Sequence, residues 1–156
     1  MSFDVTHPEI RQIVRTALAE DIGSGDVTSP LCIDASRMAS GRFVAREGMT
    51  LAGVELLPLI YEERGGVEEL RLTSASGSRL SAGDEIAFVR GRARTLLECE
   101  RVALNFMQRL SGVATLAARY SAQPAGTRCR VLDTRKNTPG LRRLEKMAAA
   151  AGDRKS

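Results

Sequence analysis

The residues with the most evident chemistry form one short run, Asp133-Thr134-Arg135-Lys136. Two cations and a hydroxyl follow a predicted buried strand, residues 129–132, and precede a predicted helix whose N-terminal amides also favour anions. In α/β enzymes ligands bind at the carboxyl ends of the strands, so this position is typical of an active site. A solvated loop that is basic by chance explains the same residues equally well. The spacing alone leaves both interpretations open.

Arg101 is a second candidate, on a helix that the spacing of apolar residues predicts from Arg94 to Gly112. Leu97 lies one turn before it and Leu104 one turn after it, which puts the guanidinium on or beside the apolar face. An arginine in that position must find an anion or extend its charge into solvent. From the residues alone, an ordinary interface or snorkelling arginine is the favoured interpretation.

The composition limits the classes of function. The 156 residues carry a formal charge of +4, but the basic residues are scattered among acids and aromatic residues make up only 4%. We therefore expect no nucleic-acid partner, because few aromatics are available to stack on bases. Arg greatly outnumbers Lys, which suits small ligands with carboxylate or phosphate groups, since a guanidinium binds them through two hydrogen bonds.

Other kinds of catalytic or metal site have little support. His7 is the single histidine, and Cys32, Cys99 and Cys129 lie far apart. A nucleophilic triad, a zinc site and a disulfide framework are therefore disfavoured, and we expect buried or unreactive thiols. The sequence has no basic and apolar signal segment and no run long enough to span a membrane, which predicts a cytoplasmic protein without a membrane partner.

Hydrophobic periodicity and turn residues predict the elements that position these candidates. A helix begins near Pro8 and ends in an acidic, glycine-rich loop, Glu20 to Asp26, interpreted as a turn capped by Asp26. The elements predicted after it are strand 38–46, strand 49–52, helix 54–61, strands 69–73, 78–80 and 85–89, helix 94–112, helix 113–121 and strand 129–132.

The last predicted helix has signals at both ends. Thr138 suits the N-cap, Pro139 the first turn and Gly152 the terminator. Glu145 is expected to form a surface ion pair with Arg142. The apolar face of this helix consists of Leu141, Leu144, Met147, Ala148 and Ala151. One strand and one helix cannot bury such a face by themselves, so we expect it to stay exposed and to favour association.

Several segments occur in a fixed order across nearly the whole chain. They are EDIGSGDVT (20–28), AREG (45–48) with LAG (51–53), GRAR (91–94), ERVALNF (100–106) with QRLSGVAT (108–115), and LDTRKNTPGLR (132–142) with LEK (144–146). Together they resemble the quinolinate phosphoribosyltransferase family, also called nicotinate-nucleotide pyrophosphorylase (carboxylating). Each segment is weak alone, and the ordered set is highly specific. Asn137, where the family commonly has Thr, is a minor departure.

The resemblance implies both a reaction and a fold. The family transfers phosphoribose from phosphoribosyl pyrophosphate to the ring nitrogen of quinolinate, which releases CO2 and pyrophosphate and forms nicotinate mononucleotide for NAD biosynthesis. The implied fold class is α+β / α/β, with an N-terminal α/β sandwich and connecting helix over residues 1–115. Residues 116–156 would be the start of a β/α barrel, represented by its first strand and helix.

The same resemblance implies roles for the candidate residues. Thr134, Arg135 and Lys136 would bind substrate at the end of the first barrel strand, and Lys136 would also be catalytic. Arg101 would bind a carboxylate of quinolinate across the interface of a homodimer or larger homo-oligomer. Magnesium would enter with phosphoribosyl pyrophosphate, although no ligand for it is identifiable in this chain.

Two hypotheses for this chain follow from the resemblance. In the first it is a partial form of an enzyme of the family, because the Asn-His-Arg motif expected beyond Gly152 does not follow. We then expect the chain alone to form no nicotinate mononucleotide. In the second it is a non-catalytic truncated remnant, or a dimerising subunit, of that family.

Overall fold

A computed structural model describes residues 4–23, 31–124 and 126–153. The helices are α1 (Pro8–Ile22), α2 (Leu56–Glu62), α3 (Ala93–Ala122) and α4 (Arg142–Gly152). The strands are β1 (Met38–Val44), β2 (Met49–Thr50), β3 (Glu69–Leu72), β4 (Arg79–Leu80) and β5 (Glu85–Arg92). This arrangement of helices and antiparallel strands confirms the predicted fold class.

The first helix includes three residues, Glu20, Asp21 and Ile22, that were predicted to lie in the loop after it. Its last turn contains Glu20 and Asp21, and its C-cap is Gly23, whose φ of 56° suits a residue without Cβ. At its other end, Nδ1 of His7 accepts a hydrogen bond from the backbone N of Glu9 at 3.2 Å. The predicted capping residue Asp26 lies outside the described residues.

Three strands form an antiparallel sheet in the order β1-β5-β3, and β2 pairs with β4 in a second sheet. The register places Phe43 opposite Ala87 and Gly41 opposite Val89, so these residues share the face that covers the core. β5 continues to Arg92, three residues beyond its predicted end. It does so because the first residues of β1 pair with residues 90–92.

The core lies between the three-stranded sheet and helices α1, α2 and α3. Its side chains are mostly aliphatic, and burying each one contributes about 1.5–3 kcal/mol. The largest fully buried ones are Ile10, Val14, Leu51, Val54, Leu56, Leu57, Ile60, Cys99, Leu110 and Leu144. Except for Leu144, which is on α4, these residues come from the part of the chain before residue 115.

The helix α3 is continuous over 30 residues, whereas two helical stretches meeting at Gly112 were predicted. Two hydroxyl groups near that point attach α3 to the segment that contains β2. The Oγ of Ser111 accepts a hydrogen bond from the N of Ala52 at 3.0 Å, and the Oγ1 of Thr115 accepts one from the N of Thr50 at 2.9 Å. The domain boundary predicted at residue 115 falls inside this helix and stays a prediction.

The strand predicted at residues 129–132 was wrong, because these residues form no strand. Leu132 is 83% exposed. A strand depends on a neighbour for its backbone hydrogen bonds, and none of the strands in the described ranges lies beside these residues. The segment is therefore a loop between α3 and α4.

The last helix begins later than predicted but packs well. α4 starts at Arg142 rather than at Pro139, because the φ of 81° at Gly140 is incompatible with a helix. Leu144 and Ala148 are fully buried against α3. The expectation that this apolar face would stay exposed was wrong, since α3 supplies the neighbour that the sequence did not reveal.

A methyl group at Gly152 would collide with α3. An ideal Cβ there lies 2.1 Å from the backbone O of Ala114 and 2.9 Å from the Cβ of Ala117. We expect Gly152→Ala to lower the free energy of unfolding by about 1–3 kcal/mol, because the two helices must separate to admit it. Urea unfolding followed by circular dichroism measures this change.

Gly112→Ala is the matched control for that substitution. Gly112 lies within α3, and apart from its chain neighbours and the backbone of its own helix no heavy atom comes within 4 Å of its ideal Cβ. Alanine there should raise the free energy of unfolding by about 0.5–1 kcal/mol through helix propensity. Equal effects of the two substitutions would contradict the close contact between α3 and α4.

Candidate functional site

The candidate residues 133–136, called the basic segment from here on, lie in the loop between α3 and α4. Local side-chain contacts set the backbone of this segment. The Oδ1 of Asp133 accepts a hydrogen bond from the N of Thr134 at 2.7 Å, and the Oγ1 of Thr134 accepts one from the N of Lys136 at 3.2 Å. Asp and Thr commonly stabilise turns in this way. All four residues are exposed.

The charges of Arg135 and Lys136 are not neutralised by any carboxylate in the described part of the chain. Three other basic residues of this region are paired: Arg109 with Glu145, Arg143 with Glu9, and Lys146 with Asp133. Two adjacent unpaired cations repel each other and attract an anion. Exposed cations also occur in ordinary solvated loops. The contacts that fix the backbone of the segment therefore decide between an anion site and a solvated loop.

Lys146, on α4, holds the first half of the basic segment. Its Nζ lies 2.5 Å from the Oδ2 of Asp133 and also donates a hydrogen bond to the backbone O of Thr134. The lysine side chain is 34% exposed, and the carboxylate that it contacts is 44% exposed. One ammonium group thus binds both a side chain and the main chain of the segment.

Glu145, the residue before Lys146, holds the residues that follow the basic segment. Its Oε2 accepts hydrogen bonds from the N of Thr138 at 3.0 Å and from the Nδ2 of Asn137 at 3.3 Å. Its Oε1 accepts from the Oγ1 of Thr138 at 2.8 Å and from the Nη2 of Arg109, on α3, at 2.7 Å. The Glu145 side chain is 7% exposed, so water competes little for these bonds.

The expected surface ion pair between Glu145 and Arg142 was wrong. Arg142 is exposed, whereas Glu145 faces α3. A signal for this existed, because Glu145 follows Leu141 by four residues and precedes Ala148 by three, on the apolar face of α4. A charge on such a face requires a partner. The partner, Arg109, is 36 residues away and gave no local signal.

The environment of Glu145 strongly favours its charged form. Burial alone would raise the pKa of this carboxyl group. The hydrogen bonds from Arg109, Thr138 and Asn137 outweigh burial and lower the pKa to about 2. Glu145 is therefore an ionised structural group throughout the physiological pH range.

Arg101 does not lie beside the basic segment of its own chain. Its Nε lies 3.2 Å from the Oδ2 of Asp21, and its side chain is 71% exposed. Arg109, which contacts the loop after the basic segment, is eight residues further along α3, or about 12 Å along the helix axis. The structure thus separates the two groups of candidate residues.

An open groove of about 1220 Å³ lies between β1 and α3. Its walls are largely apolar and include Phe43, Leu97, Leu104 and Met107. Leu97 and Leu104 are the residues one turn before and one turn after Arg101, so this arginine stands at the border of the groove.

The other candidate groups do not form a site within residues 4–23, 31–124 and 126–153. No three His, Cys, Asp or Glu residues cluster there in a way that could hold a metal ion. Cys99 is buried, and burial raises its thiol pKa to about 12, whereas Cys32 and Cys129 are exposed. None of the described helices is both long and apolar enough to cross a membrane. The cytoplasmic location stays a prediction.

The lowered pKa of Glu145 makes its contribution to stability depend on pH. Its pKa falls from 4.5 to about 2 on folding. The contribution is therefore complete above about pH 4.5 and is lost as the pH falls through about 2. We expect it to be at most about 3 kcal/mol. Glu145→Gln should lower the free energy of unfolding at pH 7 and make its decline toward low pH shallower, which urea titrations at several pH values measure.

The control is Glu68→Gln, which breaks an ion pair with Arg90. In that pair the side chains lie 3.4 Å apart and are each 55% exposed. The loss of such a pair should change the free energy of unfolding by no more than about 1 kcal/mol. An unchanged pH profile in Glu145→Gln would show that the buried carboxylate contributes nothing to acid stability.

Two family models match consecutive parts of the chain. The model for the quinolinate phosphoribosyl transferase N-terminal domain matches residues 26–111. The model for the C-terminal domain of the same family matches residues 113–155. The two matches together cover all five strands, α2, α3 apart from Gly112, the basic segment and α4.

Proteins of known sequence show the same relationship. The chain is 36% identical over 155 residues to the nicotinate-nucleotide pyrophosphorylase (carboxylating) of Mycobacterium leprae, with 97% of this chain and 55% of that protein covered. It is 37% identical over 150 residues to the chloroplastic enzyme of the same name from Arabidopsis thaliana, with 94% and 42% covered. The chain spans about half the length of these relatives.

Solved structures agree in fold. NadC from Streptococcus pyogenes superposes with a TM-score of 0.91 at 36% identity, over 97% of this chain and 54% of that one. The nicotinate-nucleotide pyrophosphorylase of Francisella tularensis superposes with a TM-score of 0.87 at 30% identity, over 95% and 54%. The chain therefore belongs to the quinolinate phosphoribosyl transferase family.

Proposed function

We propose that this chain provides part of the substrate site of an enzyme that makes nicotinate mononucleotide for NAD biosynthesis. The enzyme would transfer phosphoribose from phosphoribosyl pyrophosphate to quinolinate. The observation that carries the proposal is the pair of exposed, unneutralised cations Arg135 and Lys136, on a loop held by α4 at both of its flanks. Family membership supports the choice of reaction.

The charges of the substrates explain why such cations are needed. Quinolinate carries two carboxylates, and the donor carries a phosphate and a pyrophosphate, so the two anions repel each other as they approach. When the ring nitrogen bonds to the sugar carbon, the electrons of the broken bond leave with pyrophosphate. When CO2 leaves, the ring carbon takes up a proton. Arg135 would bind one carboxylate of quinolinate through two hydrogen bonds. Lys136 would bind quinolinate beside it and would also offset the negative charge that develops as pyrophosphate leaves.

Thr134 completes the proposed binding group. Its hydroxyl accepts a hydrogen bond from the N of Lys136, and a hydroxyl can donate its own hydrogen at the same time. The Thr134 hydroxyl would then donate to a phosphate or carboxylate oxygen of a substrate bound next to the two cations. The three residues would thus form one anion-binding turn.

We propose a separate role for Arg101 in a homodimer or larger homo-oligomer. The apolar groove between β1 and α3 would pack against a second copy of the chain, and Arg101 at its border would bind a carboxylate of quinolinate in the neighbouring copy. Three observations support this: the high exposure of Arg101, its distance from the basic segment of its own chain, and the apolar lining of the groove. In its ion pair with Asp21 the side chain of Arg101 is exposed, so a carboxylate of a ligand can replace that of Asp21 as its partner.

Magnesium is the proposed companion of phosphoribosyl pyrophosphate, and its chemistry there would be to neutralise pyrophosphate charge. The described part of the chain offers no fitting ligand set for it, since no three acidic, His or Cys side chains cluster. The carboxylate of Asp133, the acid nearest to the cations in sequence, is bound by Lys146. No step of the mechanism is therefore assigned to protein-bound magnesium in these residues.

Removal of one of the two cations should weaken the binding of quinolinate. We expect Lys136→Ala to raise the dissociation constant by about 10- to 100-fold, because it deletes a charge-assisted contact of about 1.5–3 kcal/mol. Isothermal titration of the 156-residue chain with quinolinate measures the change. Arg128→Ala removes the same charge from another exposed position of the loop and should have little effect.

Equal affinities of the wild type and Lys136→Ala would count against the assigned role. The alternative function, a dimerising subunit without catalysis, would be favoured if the chain self-associates but binds no quinolinate. Sedimentation velocity on the same samples distinguishes these outcomes, because it reports association independently of ligand.

The 156-residue chain alone should form no detectable nicotinate mononucleotide. The reason is that it matches about half the length of its relatives, so groups from their other half are absent from the reaction mixture. Incubation with quinolinate, phosphoribosyl pyrophosphate and magnesium, followed by chromatography of the nucleotides, tests this. Measurable turnover would show that these residues suffice for the reaction.

A further inference from the structure

The conformation of the basic segment depends on hydrogen bonds made by side chains rather than on hydrogen bonds between backbone groups. Among the described residues, no hydrogen bond between two backbone groups involves residues 128–137. The backbone is held instead by the side chains of Asp133 and Thr134 and by the two α4 residues that flank the segment, Lys146 and Glu145. Loss of one of these contacts should therefore loosen the loop.

The position of Lys146 is itself fixed. It lies between Leu144 and Ala148, which are fully buried against α3, so the start of its side chain cannot move without α4. From there its Nζ binds the Oδ2 of Asp133 and the backbone O of Thr134. A rigid helix thus positions an exposed loop.

Lys146 also removes an internal competitor for the two free cations. Asp133 lies two residues before Arg135 and three before Lys136, and its carboxylate is the nearest negative charge in sequence. While Lys146 binds that carboxylate, Arg135 and Lys136 stay available to an external anion. Without Lys146, Asp133 would be free to pair with either cation and to repel a bound anion.

We propose that Lys146 is a positioning residue, which anchors the basic segment and draws Asp133 away so that Arg135 and Lys136 can bind an anionic substrate. This proposal rests on the proposed function for the identity of the anion. The anchoring itself concerns only the chain and can be tested without any ligand. Lys146 acts through Asp133 and Thr134 and makes no contact with the substrate.

The first experiment measures anchoring directly. Arg135 and Lys136 are sites for trypsin, and cleavage needs a locally mobile chain. Lys146→Met should speed cleavage after these two residues by about fivefold, the effect of losing an exposed ion pair of up to about 1 kcal/mol. Lys146→Arg should keep the wild-type rate, because it keeps the charge. An unchanged cleavage rate in Lys146→Met overturns the proposal.

Arg143→Met is the matched control. Arg143 also lies on α4, is 41% exposed against 34% for Lys146, and forms an ion pair of 2.8 Å, but its partner is Glu9 on α1. Its loss should leave cleavage at the basic segment unchanged. If Arg143→Met accelerates cleavage as much as Lys146→Met, the effect is a general loosening of α4, and the proposal is overturned.

The second experiment asks whether Lys146 acts through Asp133. Isothermal titration with quinolinate is performed on the 156-residue chain with and without Lys146→Met, each in the wild-type and Asp133→Asn backgrounds. We expect Lys146→Met to weaken binding by about fivefold alone and clearly less in the Asp133→Asn background. Equal losses in both backgrounds would mean that Lys146 contacts the ligand itself, which overturns the positioning role.

The two experiments separate this proposal from the proposed function. If the wild-type chain binds no quinolinate, the proposed substrate fails, while the trypsin measurement still decides whether Lys146 anchors the segment. If the wild type binds quinolinate but Lys146→Met changes neither cleavage nor affinity, the proposed function stands and the positioning role fails.

Discussion

The contact of the buried Glu145 carboxylate with Arg109 is the constraint on which the site depends. It joins α4 to α3 and, through Thr138, joins both helices to the loop that carries the basic segment. A carboxylate that is 7% exposed is stable there only because its oxygens accept several hydrogen bonds. An ion pair with Arg142, on its own helix, would not have joined α4 to α3. One buried acid therefore decides where the loop after residue 136 runs.

The helix α3 carries this constraint to the rest of the fold. Its apolar residues close the core of the sandwich, and its Ser111 and Thr115 bind the backbone around β2. Arg109 lies two residues before Ser111, so the group that holds the loop is fixed by the same stretch of helix that is fixed to the sandwich. Gly152 lets α4 approach this stretch closely. The segment is thus positioned through α3, and within the described residues none of its hydrogen bonds or ion pairs is made with a strand.

The sequence predicted the elements that have their own local signals and failed where a partner is distant. Periodicity and turn residues found α1, α2 and the strands β1 to β5 to within a few residues, and the basic segment was recognised from its residue types. The strand at residues 129–132 was predicted from composition alone, although a strand depends on a neighbour that composition cannot supply. The Glu145–Arg109 contact could be anticipated only in part. The charge on the apolar face of α4 is visible, but a partner 36 residues away is not.

Net charge was a poor guide to the anion site, and the pattern of pairing is a better one. Eight of the 19 described arginines form an ion pair with a described acid, among them Arg11–Glu63, Arg15–Glu63, Arg64–Glu98, Arg109–Glu145 and Arg143–Glu9. In each of these pairs the two opposite charges largely cancel, so the pair attracts a distant anion only weakly. At the basic segment the nearest acid is instead bound by a lysine from another element, so two adjacent cations remain uncompensated. What distinguishes this segment from the other unpaired arginines is that its two cations are adjacent and that a lysine from another helix takes up the nearest carboxylate.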